Sequence, residues 1–176
     1  TNEVIDEAKL ARVAALAGRM RLGIAVDSAL GVERLAAALQ AAGAVADVYI
    51  ELDVGHGRCG VSAAEVGALA ACVRDRGLRL AGLQAYQGRA QHLRTAAERR
   101  SAIDAAADAV RAALGALAAI GMPCGCVSGA GTGSFALEAA SGLWQELQCG
   151  SYAFMDRDYA DNEGLPGAPR FEQALF

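Results

Sequence analysis

Strand-length apolar runs alternate with amphipathic helical segments along nearly the whole chain, and this alternation limits the fold to a parallel α/β architecture. Residues 5–19 read as a helix, with Leu10, Val13, Ala14, Leu16 and Ala17 in one apolar stripe and Gly18 near its stop. Residues 21–27 form a short apolar run of strand length, and Ser28 is placed to cap a helix over 30–42 that Gly43 ends. Residues 48–53 are the next strand, and Ser62 with Glu65 has the spacing of a capping box for a helix running to Arg76. A strand over 78–86, a long Ala-rich helix over 95–120, a strand over 124–128 and a strand-like segment over 146–156 complete the order. Parallel strands need helical crossovers, so about five such strands suit either a doubly wound open sheet or part of an eight-stranded barrel. Periodicity leaves both open.

Composition narrows the function classes. The 176 residues are 54% apolar and 20% charged, with mean hydropathy +0.25. The longest apolar stretch, 105–120, is interrupted by Asp108 and Arg111, so no membrane-spanning helix is expected. A net charge of −4 and an isoelectric point near 5.2 argue against nucleic-acid binding. Arginines are mixed with acids, as in Glu98-Arg99-Arg100, and read as solvated helix faces. Five cysteines, at 59, 72, 124, 126 and 149, read as reduced thiols of a cytoplasmic protein. Cys124 and Cys126 are expected on one face of a strand as small buried hydrophobes. The start at Thr1-Asn2-Glu3-Val4 shows no signal pattern and no initiating Met, so the chain is expected to begin inside something longer.

Ligands of parallel α/β folds sit at the C-terminal ends of the strands. Three loops there are unusual. Asp53-Val-Gly-His-Gly-Arg-Cys-Gly60 carries Arg58, a permanent cation that either serves a ligand or pairs with Asp53 or Glu51. Gln84-Ala-Tyr86-Gln87-Gly88 places Gln84 and Tyr86 on one strand face, followed by Arg89, Gln91 and His92; this is either a ligand wall or a satisfied barrel lining. His92 before the Thr95 cap reads as a surface residue. Ser128-Gly-Ala-Gly-Thr-Gly133-Ser134 leads from a strand to a short helix and offers backbone N–H groups to a phosphate, without the Lys-Ser/Thr pair of a P-loop. From these residues follows a phosphate-bearing ligand on a parallel scaffold, with an arginine and a tyrosine nearby.

Taken together, residues 48–61, 82–94, 128–133 and 138–156 resemble the D-threonine aldolases, and the similarity runs nearly the whole chain. The wider group includes D-serine dehydratases and 3-hydroxyaspartate aldolases on an alanine-racemase-like barrel. The resemblance implies one domain, residues 1–176, that is a partial (β/α)8 TIM-like barrel of the alanine racemase N-terminal type, lacking its first strands and the C-terminal β domain. It implies pyridoxal 5'-phosphate as cofactor and retro-aldol cleavage of a D-3-hydroxy amino acid to glycine and an aldehyde. It assigns Arg58 to the cofactor's phenolic oxygen, Gly131, Thr132 and Gly133 to its phosphate, and Tyr86 and Gln84 to its surroundings. His56 stands where relatives vary and receives no role.

The resemblance also implies what these residues do not contain. The cofactor's Schiff-base lysine belongs to an earlier strand, whereas the single lysine here, Lys9, reads as an exposed helix residue. The ligands of a divalent metal such as manganese belong to a C-terminal domain beyond Phe176. The chain is therefore expected to be an inactive piece of a lyase that is a homodimer when full length. Dehydration of D-serine or 3-hydroxyaspartate is the related alternative, and a non-catalytic phosphate-ligand or cofactor-carrier protein is the alternative from another class. A nicotinamide-binding domain is disfavoured because the Gly-rich loop comes late, with no suitable acid after it.

Overall fold

Helices begin here where a side chain can take up the N–H groups that a first turn leaves free. Asp6 accepts from Lys9 N at 2.9 Å to start α1 (Glu7–Ala17), and Ser28 accepts from Gly31 N at 3.2 Å to start α2 (Ala29–Ala42). Thr95 and Glu98 form a reciprocal capping box at the head of α4 (Ala96–Ala119). The remaining helices are α3 (Val66–Asp75), α5 (Phe135–Ser141) and the single turn α6 (Arg157–Ala160), with 3-10 turns at Gly88–His92 and Ser151–Ala153. The computed structural model describes residues 2–155 and 157–174.

Strands β1 (Gly23–Val26), β2 (Asp47–Glu51), β3 (Arg79–Ala85), β4 (Val127–Gly129) and β5 (Glu146–Leu147) form one parallel sheet in the order β1-β2-β3-β4-β5. This order removes the ambiguity left by periodicity. Parallel crossovers are right-handed, so a strictly sequential order keeps every helix on one face, as in a barrel wall, whereas a doubly wound sheet must reverse its order. Ile24, Val26, Val48, Ile50, Leu83 and Val127 point into the helix layer, where Leu10, Val32, Leu35, Val66, Val73, Val110 and Leu117 meet them. The other strand face is concave. There Gly23, Ala25, Tyr49, Gln84, Ser128, Glu146 and Gln148 surround a cavity of about 240 Å³.

Tyr49 occupies that face at the cost of side chains on both neighbouring strands. A Cβ at Gly82 would lie 2.8 Å from the Tyr49 ring and 2.2 Å from the Cys126 carbonyl oxygen, and a Cβ at Gly23 would lie 3.0 Å from the same ring. The register between β2 and β3 slips at Val48/Tyr49, which pairs Val48 with Leu80 but Tyr49 with Gly82.

Several expectations are corrected. Ser62 donates from its N and Oγ to Glu65 Oε2, at 2.9 and 2.6 Å, so its hydroxyl is turned to the carboxylate and α3 begins later, at Val66. The fourth strand starts at Val127, not Cys124: Pro123 has no N–H, and Cys124 Sγ donates to the Cys126 carbonyl at 3.1 Å, curling the chain before the ladder begins. The fifth strand stops at Leu147. Beyond it Gln148 N donates to the Gly129 carbonyl at 2.7 Å, and Tyr152 falls in a 3-10 turn; Asp156, where the strand was expected to end, lies outside the described residues, as do Thr1, Leu175 and Phe176. Arg99 does not join a solvated face: it is 1% exposed, and its guanidinium donates to the carbonyls of Leu93, Arg94 and Glu163. Cys124 and Cys126, expected as buried strand residues, are half-buried and precede the strand, with Cys124 packed against the edge of the core; the five cysteines are free thiols.

Gly82→Ala should destabilise the fold by on the order of 1–3 kcal/mol, because the Cys126 carbonyl opposing it is backbone and cannot move aside like a flexible side chain. Urea unfolding checks this; a midpoint equal to that of the parent chain would mean that β3 and β4 are not in this register.

Candidate functional site

A cleft of about 780 Å³ opens at the N-terminal ends of the strands around Arg21, Asp47 and Arg79. Burial alone would raise the Asp47 pKa, but Arg21 at 2.9 Å and Arg79 outweigh it and hold the carboxylate below its ordinary value. This pair of bridges joins the bases of three strands, and parallel α/β folds place ligands at the other end.

At the C-terminal end the loops after β2, β3 and β4 are stitched to one another. Gln87, buried after β3, donates from Nε2 to the Val54 carbonyl in the β2 loop at 2.7 Å. His56 of that loop lies against Gly88, where a Cβ would stand 2.5 Å from its ring, and meets the Tyr86 ring edge-on at 6.3 Å. On the other side Gln91, 1% exposed, accepts from Gly133 N at 2.8 Å and donates to Ser134 Oγ at 2.7 Å. A Cβ at Gly131 would fall 2.5 Å from Gln91 Oε1, so glycine is needed there for close packing. Thr132 is buried, and its Oγ1 accepts from Tyr152 N at 3.1 Å, which leaves its hydroxyl proton available to an anion.

Arg58, Tyr86, Gly131, Thr132 and Gly133 therefore lie in three neighbouring loops at the C-terminal end of the strands. Gln84 sits deeper, on the concave face, where it exchanges amide hydrogen bonds with Gln148 at 2.6 and 3.1 Å while Gln148 also donates to Ser128 at 2.8 Å. His92 is exposed and contacts Asp158 at 2.5 Å. Lys9 is exposed on α1. Of the two acids proposed as partners of Arg58, Glu51 is the one it meets, at 3.8 Å; Asp53 Oδ1 accepts instead from Gly55 and Gly57 N, at 2.9 and 3.1 Å.

Glu51 is buried, and desolvation first, then the charge of Glu3, pushes its pKa up to about 7 despite Arg58 and Cys59. Glu3, Glu51 and Cys59 bring ligand atoms within 4.8 Å of one another. Arg58 stands over the same carboxylate, and its positive charge disfavours a divalent ion there. His56 is held toward its neutral form by burial and then by Arg58, and its Nδ1 is buried without a hydrogen-bond partner among the described residues.

Sequence reasoning missed Glu138, which is 1% exposed and takes a hydrogen bond from Ser134 at 2.8 Å. The one signal for it was the i, i+4 spacing of Ser134 and Glu138 beside the Gly-rich loop. It also missed Gln148, since nothing in a strand-end Gln identifies its partner.

A singly wound parallel sheet whose C-terminal loops are stitched to one another defines a β/α-barrel segment. Residues 4–158 match the alanine racemase N-terminal domain family, and the chain belongs to that family. It is 46% identical over 178 residues to a D-threonine aldolase of Arthrobacter sp. and 42% identical over 183 residues to a 3-hydroxy-D-aspartate aldolase of Paracoccus denitrificans strain Pd 1222. Each alignment covers 100% of this chain and 47% of the relative, so the chain spans about half their length. The crystal structure of D-threonine aldolase from Filomicrobium marinum superposes with a TM-score of 0.93 at 46% identity, covering 98% of this chain and 47% of that one. D-threo-3-hydroxyaspartate dehydratase from Delftia sp. HT23 follows at a TM-score of 0.80 and 26% identity, covering 88% of this chain and 42% of that one.

Glu51 gives the site a pH signature. Its folded-state pKa is raised from 4.5 to about 7, so between those values the folded chain keeps a proton that the unfolded chain has released. Stability should therefore fall as pH rises through this window, by at most roughly 1.4 kcal/mol per pH unit for the group, and level off above it. Denaturant unfolding of the parent and of Glu51→Gln at pH 4.5, 5.5, 7 and 8 checks this: the variant should gain on the parent across the window, and a constant difference would refute the assignment.

Proposed function

We propose that the chain is the cofactor-holding portion of a pyridoxal 5'-phosphate-dependent lyase that cleaves D-threonine or a similar D-3-hydroxy amino acid to glycine and an aldehyde. The observation that carries this reading is the convergence of Arg58, Tyr86 and Gly131–Gly133 at one mouth, in the loops where the resemblance to D-threonine aldolases assigns them to the cofactor. The residues present fit such a group. Arg58 has a half-exposed guanidinium for a phenolic oxygen, and Cys59 and Glu51 beside it keep it firmly protonated. Thr132 has a hydroxyl proton to donate to a phosphate. Gly131 supplies close backbone approach, and Gly133 shapes the turn while its own N–H goes to Gln91.

When bound, the cofactor supplies an electron sink for the pair released as the substrate's Cα–Cβ bond breaks. The chain's own residues bind and orient. Tyr86, half-buried and raised in pKa first by burial, stays a neutral phenol beside the His56 ring. Gln84, held by Gln148, lines the floor below it. Lys9 lies on a helix outside this mouth, so a covalent anchor for the cofactor, and the divalent metal such as manganese that the resemblance implies, belong to the longer protein. That protein is read as a cytoplasmic homodimer.

Dehydration of D-serine or 3-hydroxyaspartate is the second reading, favoured by the superposition on the Delftia dehydratase. Product analysis of a full-length protein separates the two: glycine with an aldehyde supports cleavage, and ammonia with a 2-oxo acid supports dehydration.

The 176 residues alone should bind pyridoxal 5'-phosphate without releasing glycine from D-threonine in the presence of manganese. Arg58→Ala should weaken that binding about tenfold, the scale of one charge-assisted hydrogen bond. Cofactor titration with a coupled glycine assay checks both. Turnover by the bare chain would overturn the assignment of the anchoring lysine elsewhere, and unchanged affinity in Arg58→Ala would remove Arg58 from the site.

A further inference from the structure

Beneath the β4–α5 loop lies a side chain that the reading above leaves unused. Glu138 on α5 is 1% exposed, and its Oε2 is buried with no hydrogen-bond partner among the described residues. Its Oε1 accepts from Ser134 Oγ at 2.8 Å. Ser134 is fully buried and has one hydroxyl proton, so the 2.7 Å bond from Gln91 Nε2 must run into its oxygen. Gln91 in turn accepts from Gly133 N at 2.8 Å, donates to the Gln87 carbonyl at 3.2 Å, and receives Asn162 Nδ2 on its own carbonyl at 2.9 Å. The run of bonds from Gln91 through Ser134 ends on a carboxyl group with one oxygen unserved.

We propose that Glu138 is a positioning residue for the Gly131–Gly133 loop, acting as a neutral acid that holds Ser134 and, through Gln91, the Gly133 amide, and that its ionisation weakens the loop's hold on an anionic phosphate. The anion part rests on the reading of this loop as a phosphate cradle. A neutral carboxyl accepts from Ser134 at Oε1, carries its proton on the unpartnered Oε2, and places no charge beside a nearby dianion. A carboxylate here would be a buried charge with a single donor, beneath a site meant for negative charge, and both conditions disfavour it. Burial, opposed by the Ser134 hydrogen bond, pushes its pKa up to about 7, so the proton leaves within an accessible range. The groups coupled to it do not compensate. Tyr86 at the end of β3 and Cys149 beyond β5 are acids themselves, each raised first by burial and further by the Glu138 charge. Arg99 on the adjacent α4 directs its guanidinium to the carbonyls of Leu93, Arg94 and Glu163.

Two measurements on the 176-residue chain test this. Amide ¹H–¹⁵N signals of Gly133 and Ser134 followed from pH 5.5 to 8.5 should show a one-proton step near pH 7 in the parent. Glu138→Gln should lack the step while keeping the parent's low-pH positions, and Glu138→Ala should be displaced at every pH. A step that persists in Glu138→Gln, or none in the parent, overturns the positioning role. Pyridoxal 5'-phosphate affinity, read from the single tryptophan, Trp144, which is buried beside β3 and β4, should fall in the parent by about tenfold per pH unit above pH 7 relative to Glu138→Gln. Matching profiles overturn the effect on the anion. Failure of both chains to bind the cofactor at any pH refutes the cradle reading, while the amide titration still decides the positioning role.

Discussion

Each strand of this sheet must bury one row of side chains under the helices, and that requirement decides where chemistry can reside. With Ile24, Val48, Ile50, Leu83 and Val127 committed to the helix layer, the intervening positions face the concave side, and polar groups can collect only there and in the loops beyond the strand ends. Sequential strand order extends the rule across the molecule. Because every crossover returns on the same side, helices never cover the concave face, and Tyr49, Gln84, Ser128 and Glu146 line one continuous surface rather than being divided between two.

The mouth above that surface is held by side-chain amides more than by charge. Gln87 and Gln91 are buried, and each serves backbone groups of a loop other than its own: Val54 in one direction, Gly133 in the other. An amide carries donors and an acceptor without a net charge, so it can satisfy buried backbone groups without the desolvation penalty of an ion. The two acids that are buried here, Glu51 and Glu138, are correspondingly pushed toward their neutral forms. The half-exposed guanidinium of Arg58 and the exposed Arg89 are permanent charges that face outward from these loops.

Strand and helix identity was legible because it depends on local pattern: Asp6, Ser28 and Thr95 cap where short-range hydrogen bonding requires it, and Gly43 takes the left-handed turn that ends α2. The parallel scaffold and the three Gly-rich or polar loops followed from the same pattern. What could not be read were contacts between distant residues. Arg99 lies beside Glu98 and Arg100 in a segment that looks solvated, and its burial depends on the Glu163 carbonyl returning from far along the chain. Whether Arg58 faces Asp53 or Glu51 depended on a loop turn that Gly55 and Gly57 direct, by giving their N–H groups to Asp53. The shortness of β4 and β5 was not legible either, because the reach of a parallel strand depends on its partner.

Arg99 has a consequence for the order in which the molecule is built. Its guanidinium takes two acceptors from residues 5 and 6 positions earlier, already present when α4 leaves the ribosome, but the third lies at a sequence separation of 64. A nascent chain that ends short of residue 163 thus holds a cation lacking one of its three acceptors, and α4 has reason to dock late. The residues after β5 are in this sense a seal applied during vectorial synthesis: their arrival converts a partly hydrated helix head into the closed one on which the adjoining loop rests.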